Sequence, residues 1–92
     1  MAIGIRLKIA GVTAEQFDRL NAAVDPDSNP PEGLIFHASG PVDGGWGVLD
    51  FWESRAHFDR FAQERIGPAM AELGVTGAPD VKEFEVHEHF PR

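Results

Sequence analysis

The segment Trp52–Phe61, WESRAHFDRF, nearly repeats an earlier segment of the chain, Thr13–Leu20, TAEQFDRL. Both copies contain the pattern [ST]-x-x-[QH]-F-D-R-[LF]. In each copy a hydroxyl residue stands where it can cap a helix, and the Phe four residues later begins an apolar helix face. Each copy also follows a segment typical of a β-strand. The repeat therefore predicts two equivalent strand-helix units.

Four segments have the composition or alternation of strands. Ile residues and a Leu occupy the odd positions from 3 to 9, with polar or small residues between them, which predicts a half-buried first strand. The other three predicted strands are Leu34–Ser39, Trp46–Trp52 and Val81–Phe90. The Asp43-Gly44 pair predicts a two-residue hairpin of type I′ between the second and third strands, because both residues tolerate a positive φ.

Capping residues and prolines set the limits and the shape of the two predicted helices. Thr13 and Gln16 predict a capping box at the start of the first helix, and the proline-rich DPDSNPPEG ends that helix near Val24. The second helix begins after Ser54 and is predicted to bend at Gly67-Pro68. The element order is strand, helix, strand, strand, helix, strand. It predicts one ferredoxin-like α+β domain over residues 1–92, with a four-stranded antiparallel sheet and both helices on one face.

Both faces of the third strand carry large apolar residues. Trp46, Val48 and Trp52 alternate with Leu49 and Phe51. Because the helices can cover only one face of the sheet, the other face predicts a second sheet packed against it. The simplest source of that sheet is an identical chain, which predicts a homodimeric α+β barrel.

The composition narrows the function classes. The chain has 92 residues and a formal net charge of −7, which would repel a phosphate backbone and argues against nucleic-acid binding. It contains no cysteine, which excludes disulfides and thiolate chemistry. Its apolar runs are shorter than the roughly 20 residues of a membrane span. We expect a cytoplasmic protein with no membrane partner.

The best candidate for chemistry is His37 beside Asp50. A hairpin that turns at Asp43-Gly44 places positions 37 and 50 opposite each other, on the same sheet face as Trp52. A carboxylate beside an imidazole favours the charged ring and fixes its tautomer, as a general base or a ligand anchor requires. The same pair could instead be purely structural, with each group satisfying the other.

Other polar and aromatic residues leave alternatives open. His87 and His89 are two residues apart on the last predicted strand and therefore share one face of it. There they could bind a metal with Glu85, or could be solvated or dimer-contact residues. Arg6 and Lys8 point to the face without helices, where they could hold an anionic ligand or pair with acidic residues of the last strand. Trp46 and Trp52 could form the walls of an aromatic pocket, or could pack in the core or at the dimer contact.

Several segments together resemble a known family. Strand three runs into FWES-x-x-x-F-x-x-F (Phe51–Phe61), and GLIFHASGPVDGGW precedes it and FEVHEHF closes the chain. These segments resemble the antibiotic-biosynthesis-monooxygenase-like branch of the dimeric α+β barrel superfamily. The resemblance implies a homodimer with a ligand pocket in each subunit. It also implies a cofactor-independent monooxygenase that acts on an aromatic or polyketide-like compound.

The resemblance also separates this chain from haem-degrading relatives. By this resemblance those relatives use an Asn on the first strand, where this chain has Arg6 and Lys8, and a Trp in the second helix, where it has Phe61. We therefore expect His37 as the base and Asp50 as the residue that orients it. The expected substrate-binding residues are Trp46, Trp52, Arg6 and Phe61, with no metal and no cofactor. The alternative is a non-catalytic ligand-binding or protein-interaction module with the same fold.

Overall fold

The computed structural model of the chain describes residues 2–75 and 79–89. Its elements are β1 (Ile3–Ala10), α1 (Ala14–Val24), β2 (Leu34–Val42), β3 (Gly45–Trp52), α2 (Arg55–Phe61), a π-helical turn (Ala62–Ile66), α3 (Gly67–Glu72) and β4 (Asp80–Glu85). The four strands form one sheet in the order β2-β3-β1-β4, and every neighbouring pair is antiparallel. The predicted ferredoxin-like α+β fold is confirmed.

The repeated motif starts both helices as predicted. The Thr13 hydroxyl accepts a hydrogen bond from the Gln16 backbone N–H at 3.2 Å, and the Gln16 side chain accepts one from the Thr13 N–H at 3.0 Å. In the second copy the Ser54 hydroxyl accepts from the His57 N–H at 3.3 Å. Both helices therefore begin with satisfied backbone donors. They place Phe17 and Phe58 in the core as equivalent anchors.

The core lies between the helices and one face of the sheet. The alternation of β1 places its odd residues inward and leaves Arg6 and Lys8 exposed. Trp52 and Ile5 have no exposed surface, so the centre of the sheet is fully covered by the helices. The buried apolar residues are Ile3, Ile5, Leu7, Ile9, Val12, Phe17, Leu20, Val48, Trp52, Phe58, Ala69 and Met70.

The hairpin between β2 and β3 turns where the sequence predicts, but with a different turn type. Val42 pairs with Gly45, which leaves Asp43 and Gly44 as the two loop residues. Only Gly44 has a positive φ, at 76°. Type I′ requires a positive φ at both positions, so that prediction was wrong, and the observed signs match type II. The register does not depend on this difference, because the loop length is the same.

The second helical segment is interrupted before the predicted bend. The Gly67 N–H bonds to the Ala62 carbonyl five residues back, within the π-helical turn Ala62–Ile66. Pro68 follows directly, and its ring would clash with the carbonyl four residues earlier in a regular α-helix. In an α-helix, positions 61 and 66 would point about 140° apart. The wider turn brings Phe61 and Ile66 to the same side, facing the sheet.

The sheet face without helices carries an aromatic row. Phe36 on β2 stands beside Phe51 on β3, with ring centroids 5.9 Å apart, and Phe51 contacts Phe84 on β4 edge to face at 6.4 Å. Gly4 lies between them on β1, and a Cβ there would overlap the Phe84 ring. Phe36 is 50% exposed and Phe84 is 53% exposed. The predicted apolar outer face is present.

The last strand is shorter than predicted. β4 ends at Glu85, so His87 and His89 lie after the strand and not on one of its faces. The expected alignment of two imidazoles on one strand face was therefore wrong, and Phe90 lies outside the described residues. Within the described ranges, no helix is long and apolar enough to cross a membrane.

Candidate functional site

A pocket opens between the sheet and the helices. Its volume is about 70 Å³, and its walls are almost entirely apolar. This volume admits several waters but is about half of a cavity that holds benzene. A ring-sized ligand therefore has to extend through the mouth of the pocket or displace part of its wall. The walls come from β1, β2, β3, the helices on the inner face of the sheet and the 25–33 loop, and include Leu7, Leu20, Trp52, Phe61, Ile66 and Met70.

His37 and Asp50 stand at one side of this pocket. They are cross-strand partners in the β2-β3 pairing, which confirms the predicted register. The His37 Nδ1 atom lies 2.6 Å from the Asp50 Oδ1 atom. The side chain of Asp50 is only 4% exposed, whereas that of His37 is 35% exposed. The imidazole therefore joins a buried carboxylate to the open rim of the pocket.

Both oxygens of the Asp50 carboxylate have a partner. Oδ1 faces His37, and Oδ2 accepts a hydrogen bond from the Trp52 indole N–H at 3.4 Å. Burying a carboxylate is costly unless such partners replace its hydration. On the other side Asp50 pairs with the fully buried Ile5 of β1. The carboxylate is thus held in an apolar surrounding that strengthens its interaction with the imidazole.

The pKa of His37 is raised above its ordinary value of 6.5. The main cause is the hydrogen bond to Asp50, and the negative charges of Asp50 and Asp27 add to it, while partial burial of the ring opposes it. With Nδ1 engaged by the carboxylate, Nε2 is the ring nitrogen that remains for a ligand. Within residues 2–75 and 79–89, no hydrogen bond is formed by Nε2. The ring can donate a proton from Nε2 when charged and accept one when neutral.

The raised pKa makes the stability contributed by His37 depend on pH. Because the folded-state pKa exceeds that of the unfolded chain, this contribution is complete below about pH 6.5 and is lost as the pH rises through the folded-state pKa. We expect the difference in unfolding free energy between wild type and His37→Gln to be larger at pH 6 than at pH 9. Urea unfolding at the two pH values measures it. An equal difference at both values would contradict the ion pair.

The structure brings together only part of the predicted set of site residues. Trp52 and Phe61 both line the pocket, with ring centroids 5.3 Å apart. Trp46 does not line it: its ring stacks on Phe17 at 5.2 Å, outside the pocket wall. The predicted role of Trp46 as a pocket wall is therefore not supported, although it shares a sheet face with Trp52.

Arg6 is also separated from the pocket. It lies on the outer sheet face, between Leu49 of β3 and Lys82 of β4. His37 and Asp50 face the helices, so Arg6 cannot contact a ligand held by them within the same chain. Within the described part of the chain Arg6 forms no ion pair with the acidic residues of the last strand, and its cross-strand neighbour there is Lys82.

Sequence reasoning missed several residues that line the pocket. Pro26 and Pro31 come from the loop after α1, which the sequence marks only as a helix breaker. Asn21 lies on the inward face of α1, four residues after Phe17. A polar residue on that apolar face could have indicated a pocket from the sequence. Ile66 and Met70 join Phe61 only because the π-helical turn realigns them.

The remaining histidines do not assemble a metal site. The His57 imidazole contacts the Ser54 hydroxyl at 2.6 Å and belongs to the helix cap. His87 and His89 lie beyond the end of β4. In the part of the chain that the structure describes, no group of three His, Asp or Glu side chains is arranged to hold a metal ion.

Comparison with solved structures relates the chain to known folds. No protein-family model and no curated protein matches the sequence. SnoaB, a cofactor-independent oxygenase from Streptomyces nogalater, superposes with a TM-score of 0.67 at 15% identity, over 99% of this chain and 97% of SnoaB. Rv0793 from Mycobacterium tuberculosis superposes with a TM-score of 0.72 at 13% identity, over 98% of this chain and 99% of Rv0793.

A third solved structure is a dimeric ferredoxin-like protein of unknown function from Thermobifida fusca. It has a TM-score of 0.66 and 15% identity, over 94% of this chain and 92% of that protein. At such low identity these likenesses show a shared ferredoxin-like fold and do not by themselves assign an activity.

Proposed function

We propose that residues 1–92 form one domain that binds a small aromatic compound with an ionisable hydroxyl group and oxidises it with dioxygen, without a cofactor. The observation that carries the proposal is the His37–Asp50 pair at the rim of an otherwise apolar pocket. An apolar pocket with one polar group at its edge suits a ligand with a flat apolar body and one hydroxyl. The structural similarity to SnoaB, a cofactor-independent oxygenase, supports the reaction class.

The proposed reaction needs only a base and a positioned ring. His37 Nε2 takes the phenolic proton, and the charged ring, held by Asp50, then stabilises the phenolate oxygen. The electron-rich phenolate reduces dioxygen, which bonds to the ring carbon para to the oxygen. The resulting peroxide breaks its O–O bond and loses water, so that this carbon becomes a carbonyl. One phenol and one dioxygen thus give one quinone and one water, and the substrate supplies all the electrons.

In this proposal the pocket walls hold the substrate ring in position. Phe61 is partly exposed and offers an aromatic surface against which a flat ring can pack, and the fully buried Trp52 packs against Phe61 and supports it. Arg65 supports the outer side of Phe61, with its guanidinium carbon 5.2 Å from the ring centroid. The same Arg65 donates to the Asp25 backbone carbonyl at 3.2 Å, which connects this wall to the loop at the pocket.

We also propose that the chain works as a homodimer joined through the outer sheet face. The aromatic row Phe36, Phe51 and Phe84 supplies an exposed apolar surface on that face. The existence of a dimeric ferredoxin-like protein with the same fold is consistent with this arrangement. The other candidate function is a ligand-binding module that has the pocket but no turnover, since one ionic pair can serve binding alone.

Binding and oxidation of 1-naphthol test this proposal. We expect His37→Gln to weaken 1-naphthol binding by about ten- to a hundredfold, because a charge-assisted hydrogen bond is lost. Binding of 1-methoxynaphthalene, which has no hydroxyl proton, should change little. His87→Gln is the matched control, because His87 lies beyond β4 and outside the pocket.

The outcomes separate the two candidate functions. Oxygen uptake with formation of 1,4-naphthoquinone by wild type, and its loss in His37→Gln, supports the oxygenase. Tight binding of 1-naphthol without oxygen uptake supports the binding module. If wild type binds neither naphthalene compound, or if both histidine variants bind 1-naphthol as wild type does, the proposed site is wrong.

A further inference from the structure

We propose that Trp52 is a positioning residue that holds His37 in place through Asp50, in addition to lining the pocket. Its indole N–H, the Asp50 carboxylate and the His37 imidazole form one hydrogen-bonded chain that ends at Nε2 on the pocket rim. The inference deepens the proposed function, because the ring that Trp52 positions is the proposed base. Orienting Asp50 is a role that an aromatic pocket wall does not have.

The indole is fixed in the core. Trp52 has no exposed surface, and its ring packs against Phe58 edge to face at 5.8 Å and against Phe61 at 5.3 Å. A ring enclosed in this way cannot turn its N–H to another acceptor. The direction of the hydrogen bond to Asp50 Oδ2 is therefore set by core packing and not by solvent.

This fixed donor determines how the carboxylate can act. The terminal torsion of an Asp side chain is broad, so a carboxylate bound at only one oxygen can rotate. With Oδ2 held by Trp52, the other oxygen, Oδ1, stays directed at His37 Nδ1. The imidazole then keeps its Nδ1 proton towards Asp50, and Nε2 is always the nitrogen presented to the pocket.

The chain offers an internal control in its second tryptophan. Trp46 lies four residues before Asp50 and on the same face of β3, yet its buried Nε1 has no hydrogen-bond partner among the described residues. It stacks on Phe17 instead. Replacing Trp46 with Phe removes a ring of the same kind without removing a hydrogen bond, whereas Trp52→Phe removes the donor to Asp50.

The wild-type protein can test the inference without a ligand. We expect the indole N–H resonance of Trp52 to move between pH 5 and pH 9 with the same midpoint as the His37 ring, while that of Trp46 stays constant. His37→Gln should abolish the movement, and His87→Gln should leave it unchanged. The other charged group that acts on His37 is Asp27 in the loop, so Asp27→Asn should shift the midpoint of both resonances together.

A variant gives a second and independent measurement. Trp52→Phe should lower the titration midpoint of His37 by about half a pH unit, or about threefold in proton affinity, because the carboxylate can then rotate and its hydrogen bond to the imidazole weakens. Trp46→Phe should not move it. The inference is overturned if the Trp52 resonance does not titrate with His37, or if both tryptophans respond alike. Failure of 1-naphthol to bind would instead overturn the proposed function and leave this hydrogen-bonded chain in place.

Discussion

We expect His37→Leu to lower the free energy of unfolding at pH 7 by about 3 kcal/mol, measured by urea unfolding. The residue itself is partly exposed, so the loss comes from its partner. Asp50 is 3% exposed, and without the imidazole the Trp52 N–H is the one side-chain donor among the described residues that remains for its carboxylate. An uncompensated buried carboxylate is among the costly defects that a single substitution can create.

A double variant tests whether the buried charge is the cause. The double variant with Asp50→Asn should recover most of the loss, since the amide is neutral and its oxygen can still accept from Trp52. If the double variant is as unstable as the single one, lost packing around His37 and not the charge explains the effect.

Phe84→Glu is expected to weaken the proposed dimer by about a thousandfold in dissociation constant. Burying a Phe side chain is worth about 2 kcal/mol, and a twofold interface repeats each change, so about 4 kcal/mol is at stake. Phe84 is 53% exposed in the single chain and contacts Phe51, so it lies where the partner sheet would cover it. Light scattering after size exclusion, over a range of protein concentrations, measures the shift.

A matched control distinguishes the outer sheet face from apolar surface in general. Leu73, just after α3, is 38% exposed but belongs to the helical layer. Leu73→Glu should leave the dimer intact, and circular dichroism should show that both variants keep the fold. A wild-type chain that remains monomeric at micromolar concentration would rule out the dimer, and an equal effect of both variants would place the interface elsewhere.

The His37–Asp50 pair could be predicted from the sequence because the geometry of a hairpin depends on neighbouring residues. Asp43 and Gly44 set a two-residue loop, and counting back from it places His37 opposite Asp50. A β-bulge between Leu34 and Phe36 changes the register further along, but it lies beyond His37 and leaves the pair intact. Strand alternation also placed Arg6 on the face without helices.

The roles of individual side chains were harder to predict from the sequence than the strand register. Trp46 and Trp52 share a strand face, and alternation cannot tell which one meets the pocket and which one stacks on Phe17. Arg6 was assigned to the substrate although its own strand pattern directs it away from His37. The π-helical turn depends on how the segment before Pro68 packs on the sheet, so a 3.6-residue period could not reveal it.

The element order, the helix caps, the hairpin register and the two apolar faces of the sheet can be predicted from the amino-acid sequence. These features follow from short-range rules: strand alternation, capping by Thr13 and Ser54, and loop length. The folded structure is needed to see which aromatic rings border the pocket and that Trp52 donates to Asp50. Those contacts depend on the distance and rotation between helices and sheet, and no local pattern in the chain encodes that relation.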